Sequence, residues 1–233
     1  MVSYLEAHDW KIQAAFESMK EHSLWRKEIS LYDMQMEEIP REIYQIDAFH
    51  PFGRDKMGHP TLFIRMSRAG APKEGHSIIL KYFLWAAERM RSQVIEGDRK
   101  FAIIFDCRSP QASIGLLKEV LSLYTSYYPL SVAYVAFVEM GLSFRVFYKL
   151  IKLFFPKYFR EQMFLLSLQQ LKEIITDEEM PAFFGGSGKG MPEKWTSGCP
   201  SWREFALKER LPDSSVKKMH KYFNELPITV NNN

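Results

Sequence analysis

Two short, unbroken apolar runs, at residues 101–105 and 132–138, constrain this chain more than any other feature. Each is too short for a helix, and neither alternates with polar residues, so each reads as a strand buried on both faces. That is the look of a parallel sheet covered by helices. The flanking segments carry the other period. Residues 73–96 place Ile79, Phe83, Ala86, Ala87 and Met90 at helical spacing, and Gly97-Asp98 stops them. Residues 112–127, 142–155 and 168–175 also read as helices. Further strands are expected at 61–66, where Pro60 takes the tolerated first position, and at 163–166. Strands alternating with helices over residues 60–175 predict an α/β fold.

Around that body, residues 4–27 predict a single helix marked by Ala14, Ala15, Met19, Leu24 and Trp25. A short helix is expected before Pro40, a turn at Asp55-Lys56-Met57-Gly58, and a break over residues 181–190. Residues 191–233 read as a polar tail with one helix near 214–223 and a disordered Asn231-Asn232-Asn233 end. The expected division is therefore a helical lobe (1–50), a sheet domain (51–190) and a tail (191–233).

Composition narrows the function classes. With 46% hydrophobic and 25% charged residues, a wholly disordered chain is excluded. A net charge of +3 gives no global field for nucleic acid. Two cysteines, Cys107 and Cys199, form no disulfide framework and no zinc spacing, and charges at Glu6, Asp9 and Lys11 predict no signal peptide. The expected setting is a reduced, cytoplasmic one. Residues 120–138 hold no charge over 19 positions, close to the length of a membrane span. Ser122, Thr125, Ser126, Ser131 and Pro129 make a helix end, a turn and a buried strand the better reading.

Enzyme readings fail on their residues. Residues 183–190 approach a phosphate-binding loop, but Phe183 stands where its first glycine belongs and Gly190 where Ser or Thr would hold magnesium. Cys107 ends a strand without a cradle of basic residues behind it. Gly141-Leu-Ser143 lacks the second glycine of a nucleophile elbow. His50, Asp55 and His59 read as solvated turn residues rather than metal ligands. No catalytic residue, metal or cofactor is predicted.

The informative segment is residues 144–164, with eight aromatics, five basic residues and one acid; an even spread of the 34 aromatic residues would place about three there. Arg145, Lys149 and Lys152 share one helix face; Phe147, Leu150, Ile151 and Phe154 are assigned to another. Such a helix suits either an anionic membrane surface or ordinary packing on a core.

The order of motifs resembles the CRAL-TRIO (Sec14-like) lipid-binding domain family. The resemblance runs from Tyr4-Leu-Glu-Ala7 and Leu24-Trp25-Arg26-Lys27, through Gly53-Arg-Asp55-Lys-Met-Gly58-His-Pro60, the 101–106 strand and Tyr127-Tyr128-Pro129, to the helix at 142–153 and Glu179-Met180-Pro181-Ala-Phe-Phe184-Gly185-Gly186. The segment from Trp25 to Ser30 looks nearest to the CRAL-TRIO domain of motile-sperm-domain tether proteins. The resemblance implies a mixed, mostly parallel sheet flooring an apolar pocket, with a gate helix above it and one lipid-like ligand inside. Implied pocket residues are Phe63, Ile64, Ile103, Phe105, Tyr134 and Phe137 from the floor, Phe144, Phe147, Leu150, Ile151 and Phe154 from the gate, and Met163 and Leu165 from the last strand. Implied headgroup contacts are Arg145, Lys149, Lys152, Lys157 and Arg160. The ligand would be a phospholipid, sterol, tocopherol or retinoid, and the protein would transfer or present it while peripherally bound to a membrane. An adaptor role through a protein partner on the C-terminal tail is the alternative. Members that transfer phosphoinositides carry Thr and Lys where Phe159 and Gln162 align, which speaks against phosphatidylinositol.

Overall fold

The computed structural model describes residues 2–92, 100–109, 114–128, 130–188 and 197–226. Its centre is one five-stranded sheet in sequential order, β1 (Phe49–Arg54), β2 (Pro60–Arg65), β3 (Phe101–Asp106), β4 (Val132–Val138) and β5 (Met163–Leu166). The pair β1–β2 is antiparallel and every other pair is parallel. Parallel neighbours require crossovers, and α4 (His76–Ser92), α5 (Ile114–Tyr127) and α6 (Leu142–Lys152) supply them. With strands in sequential order, right-handed crossovers put all three helices on one face.

Strand alternation then divides the apolar residues. Leu62, Ile64, Ile103, Phe105, Val135, Phe137 and Met163 pack toward α4, α5 and α6. Phe63, Ile104, Ala136 and Val138 pack toward α8 (Leu168–Ile174), Ile175 and the closing segment with Met180 and Phe184. Both faces are buried, which is why the runs are apolar throughout.

Strand β1 was not expected; it ends just before the expected turn at Asp55-Lys56-Met57-Gly58. It holds a β-bulge between Pro51 and Arg54, and Gly53 sits there at φ +68°. A Cβ on Gly53 would come within 2.2 Å of the Glu179 carbonyl oxygen, so the closing segment can press on β1 only at a glycine. In the turn between β1 and β2, Asp55 and His59 are buried, not solvated as expected, while Lys56 and Met57 at its tip are exposed. Asp55 Oδ1 accepts from Met57 N and His59 N at 2.9 Å each, and Asp55 Oδ2 lies 2.8 Å from His59 Nδ1. His50 is buried too, its Nδ1 3.2 Å from Asp47 Oδ1. Among the described residues no three His, Cys, Asp or Glu side chains converge as a metal site.

The single helix expected at 4–27 is two, α1 (Val2–Ala7) and α2 (Ile12–Glu28), parted by Asp9 and Trp10 at φ 52° and 61°. Before Pro40, where a short helix was expected, stand two single-turn 3-10 helices, Leu31–Asp33 and Met36–Glu38, and a further helix, α3 (Arg41–Ile46), follows it. The C-terminal end of α2 docks the lobe onto the body. Trp25 stacks on Tyr127 with centroids 3.9 Å apart, and buried Arg26 reaches Glu88 Oε1 at 2.6 Å. Arg26 Nε also donates to His22 Nε2 at 2.7 Å. Burial, then the neighbouring Arg26 charge, lowers the His22 pKa to about 4.

The expected polar tail is corrected for residues 197–226. Helices α9 (Trp202–Lys208) and α10 (Asp213–Glu225) bury Trp202, Ala206, Met219, Tyr222 and Phe223 in the main core. The Trp202 amide donates to Glu42 Oε2 at 2.8 Å, tying α9 to α3. Trp195 and the last seven residues lie outside the described part.

Candidate functional site

Helix α6 crosses the helix-bearing face of the sheet and has three sides rather than two. Successive residues turn by about 100°, so neighbours in sequence face apart. Tyr148 and Ile151 point inward and are buried, with Phe144 half-buried beside them. Arg145, Lys149 and Lys152 form the expected basic row. Leu142, Val146 and Leu150 form an apolar stripe that faces solvent, extended by Leu153 and Phe154 beyond the helix. All five of these residues are more than half exposed. The single apolar face expected of residues 147–154 is therefore split. Ile151 joins the sheet, while Leu150 and Phe154 turn away from it. The side chain of Phe147 lies outside the described part.

Beneath α6 runs a seam of rings. Tyr148 meets Phe137 edge-on at 5.3 Å, and Phe137 stacks on Phe105 at 4.9 Å and 7°. Phe105 borders an apolar cavity of about 10 Å³, room for about one water. Phe49, Ile64 and Met66 line it from below, and Leu116, Leu117 and Val120 of α5 roof it. Of the expected floor, Ile64, Ile103, Phe105, Phe137 and Met163 lie on this side of the sheet. Phe63 and Tyr134 do not: one-residue alternation sends them to the opposite face, against Phe184 and the closing segment. Leu165 is level with Phe137 in the parallel register, but on the edge strand it is partly exposed.

Few attachments hold α6 to the sheet. The Tyr148 hydroxyl donates to the Met163 carbonyl at 2.8 Å, and Lys152 Nζ approaches the same oxygen at 3.5 Å. After α6, Phe155 is buried against Phe159 of α7 (Lys157–Glu161), with centroids 5.4 Å apart. By contrast α4 buries eight residues. Of the expected headgroup contacts beyond α6, Lys157 is exposed and pairs loosely with Glu161 at 3.8 Å, and Arg160 is half-buried.

Other sequence candidates resolve otherwise. The Cys107 thiol is buried, and desolvation, then the Asp106 charge, pushes its pKa up to about 12, so it stays protonated. The glycine-rich stretch is a tight closing turn: Gly185 is at φ +82°, and Pro181 bridges Gly188. Lys189 and Gly190 lie outside the described part. Among the described residues no helix is long and apolar enough to cross a membrane.

A mixed sheet, antiparallel at one edge and parallel elsewhere, with crossover helices α4, α5 and α6 packed on it, defines an α/β domain. The chain belongs to the CRAL/TRIO domain family, whose sequence model matches residues 47–186. That family is one of lipid-binding and lipid-transfer proteins. Patellin-2 of Arabidopsis thaliana is 24% identical over 247 residues, which cover 98% of this chain and 34% of the relative. Patellin-3 of the same plant is 21% identical over 238 residues, covering 93% of this chain and 47% of its own. The chain thus spans a third to a half of the length of these relatives. The crystal structure of Sfh5 superposes with a TM-score of 0.61 at 15% identity, covering 90% of this chain and 78% of that one, a likeness of fold.

Proposed function

We propose that this protein binds one lipid-like molecule between the helix-bearing face of the sheet and helices α5 and α6, and that it transfers or presents that molecule at a membrane. The observation that carries the reading is the three-sided α6. One side covers the ring seam leading to the cavity, and the other two match an anionic bilayer interface. Ligand pockets of this kind run to about 300–1,000 Å³, so a lipid enters only if α6 lifts and the cavity under α5 widens. Lifting α6 exposes Tyr148 and Ile151, each costing about 1.5–3 kcal/mol, and breaks the Tyr148 hydrogen bond, about 1 kcal/mol, and the longer Lys152 contact to the Met163 carbonyl. Insertion of the outward stripe into the bilayer interface offsets a cost of that size.

The pocket lining in this reading is Ile64, Ile103, Phe105, Phe137, Phe144, Ile151 and Met163, all apolar, with no charged group among them. Such a surface accepts acyl chains, sterols, tocopherol or retinoids by shape and area rather than by polar recognition. Arg145, Lys149, Lys152, Lys157 and Arg160 serve as contacts to anionic headgroups outside the pocket, each worth about 1 kcal/mol near the surface. Vesicle-to-vesicle transfer assays with fluorescent phosphatidylcholine and a fluorescent sterol test the reading. Saturable transfer of at least one of them is expected. No transfer of either, by protein that also extracts no lipid from vesicles, would overturn it.

A further inference from the structure

We infer that Lys118, on the outer side of α5, latches the gate through the ring of Phe154, and that an anionic membrane surface releases the latch by competing for its ammonium. This rests on the gating reading above and assigns a positioning residue to it. Lys118 Nζ lies 4.1 Å from the Phe154 ring centroid, inside the roughly 6 Å reach of a cation–π contact. Phe154 is largely exposed, so burial does not hold it in place. Lys118 is exposed and makes no ion pair among the described residues. The contact joins two elements that must part for a lipid to enter: α5, which roofs the cavity with Leu116, Leu117 and Val120, and the end of the gate α6.

The competition follows from relative strengths. In water, an ammonium over a phenyl ring is a weak attachment, whereas a charge-assisted hydrogen bond to a phosphate or carboxylate is stronger. A headgroup that takes the Lys118 ammonium leaves Phe154 free beside Leu153, and both are already positioned to enter the same surface. Lys152 also lies over a ring, with Nζ 5.2 Å from the Tyr148 centroid, but both residues belong to α6, so that contact does not tie the helix to α5. A neutral bilayer offers no net negative charge to draw the ammonium from the ring. The gate thereby reads membrane charge before it opens, in addition to being attracted by it.

The test uses the full chain with Phe154→Leu, which keeps an apolar side chain but removes the ring, and Lys118→Gln, which removes the ammonium. Hydrogen exchange of the α6 amides is measured without vesicles, then with phosphatidylcholine vesicles with or without phosphatidylserine. Without vesicles, both variants should exchange roughly two- to fivefold faster over α6 than the parent chain, the change expected from losing an exposed cation–π contact. Phosphatidylserine should accelerate the parent beyond phosphatidylcholine alone and add little for either variant. Unchanged exchange in both variants without vesicles overturns the latch. Parent exchange that ignores phosphatidylserine overturns its release by charge. Neither readout needs lipid uptake, so faster exchange in a chain that takes up no lipid would sink the transfer reading and leave the latch standing.

Discussion

If the outward stripe of α6 enters the bilayer interface, placing aspartate at Val146 and Leu150 should nearly abolish membrane binding without harming the fold. In the free protein Leu142, Val146, Leu150, Leu153 and Phe154 are 79%, 61%, 51%, 70% and 62% exposed, so most of their area remains available to bury. Full burial of one such side chain is worth about 1.5–3 kcal/mol, and the exposed share at Val146 and Leu150 therefore about 1 kcal/mol each. Each aspartate adds about 1 kcal/mol of repulsion from anionic headgroups beside the basic row. Together these amount to about 4 kcal/mol, close to a thousandfold in partitioning. The assay is flotation with vesicles containing phosphatidylserine, with thermal unfolding as control. Neither side chain contributes to the core, so the midpoint should move by no more than about 2 °C. A well-folded double variant that partitions within threefold of the parent would refute the orientation of α6 argued here.

Three further outcomes follow. His22 is held neutral in the fold with its pKa lowered to about 4, so below about pH 6.5 the unfolded chain takes up the proton more readily. Stability should therefore fall from about pH 6.5 toward pH 4; His22→Gln, which can still accept from Arg26, should flatten the upper part of that decline in pH-dependent melting curves. Trp202→Ala should cost about 3–5 kcal/mol in denaturant unfolding, because the ring is fully buried where α9 meets the body; a cost below about 1 kcal/mol would mean that the C-terminal helices do not dock. Cys107 should resist alkylation at pH 8 until the chain is unfolded, and rapid labelling of the native protein would contradict its buried, protonated state.

Much of the architecture was legible because apolar runs and helical spacing are local signals. The β3 and β4 strands and the helices between them fall where periodicity places them. Strand β1 was hidden because His50, Pro51 and Gly53 resemble turn residues, and its antiparallel pairing with β2 around a bulge leaves no period-two pattern to announce an edge strand. The break between α1 and α2 lies at Asp9 and Trp10, with no glycine or proline to announce it. The candidate site was half legible. Strands buried on both faces carry no period-two contrast, so Phe63 and Ile64 look alike in sequence although they serve opposite sides of the sheet. On α6, Leu150 and Ile151 are adjacent and similar, and only the direction of the sheet decides which one faces it. In the tail the helix expected near 214–223 is α10, but its buried side was legible too: Met219, Tyr222 and Phe223 follow i, i+3, i+4 spacing, and Trp202 and Ala206, four apart, mark the unexpected α9 in the same way. The aromatic surplus likewise divides, since Tyr148, Phe155 and Phe159 are core residues while Phe154 and Phe164 face outward.

In the proposed function the space beneath α5 and α6 takes a single lipid-like molecule. Native mass spectrometry of the intact protein after exposure to mixed-lipid vesicles tests it most directly. A discrete 1:1 adduct is expected, weakened when Val120→Trp fills the cavity under α5 in a folded variant. Protein that emerges only as the bare chain, or with adducts indifferent to Val120→Trp, would contradict it.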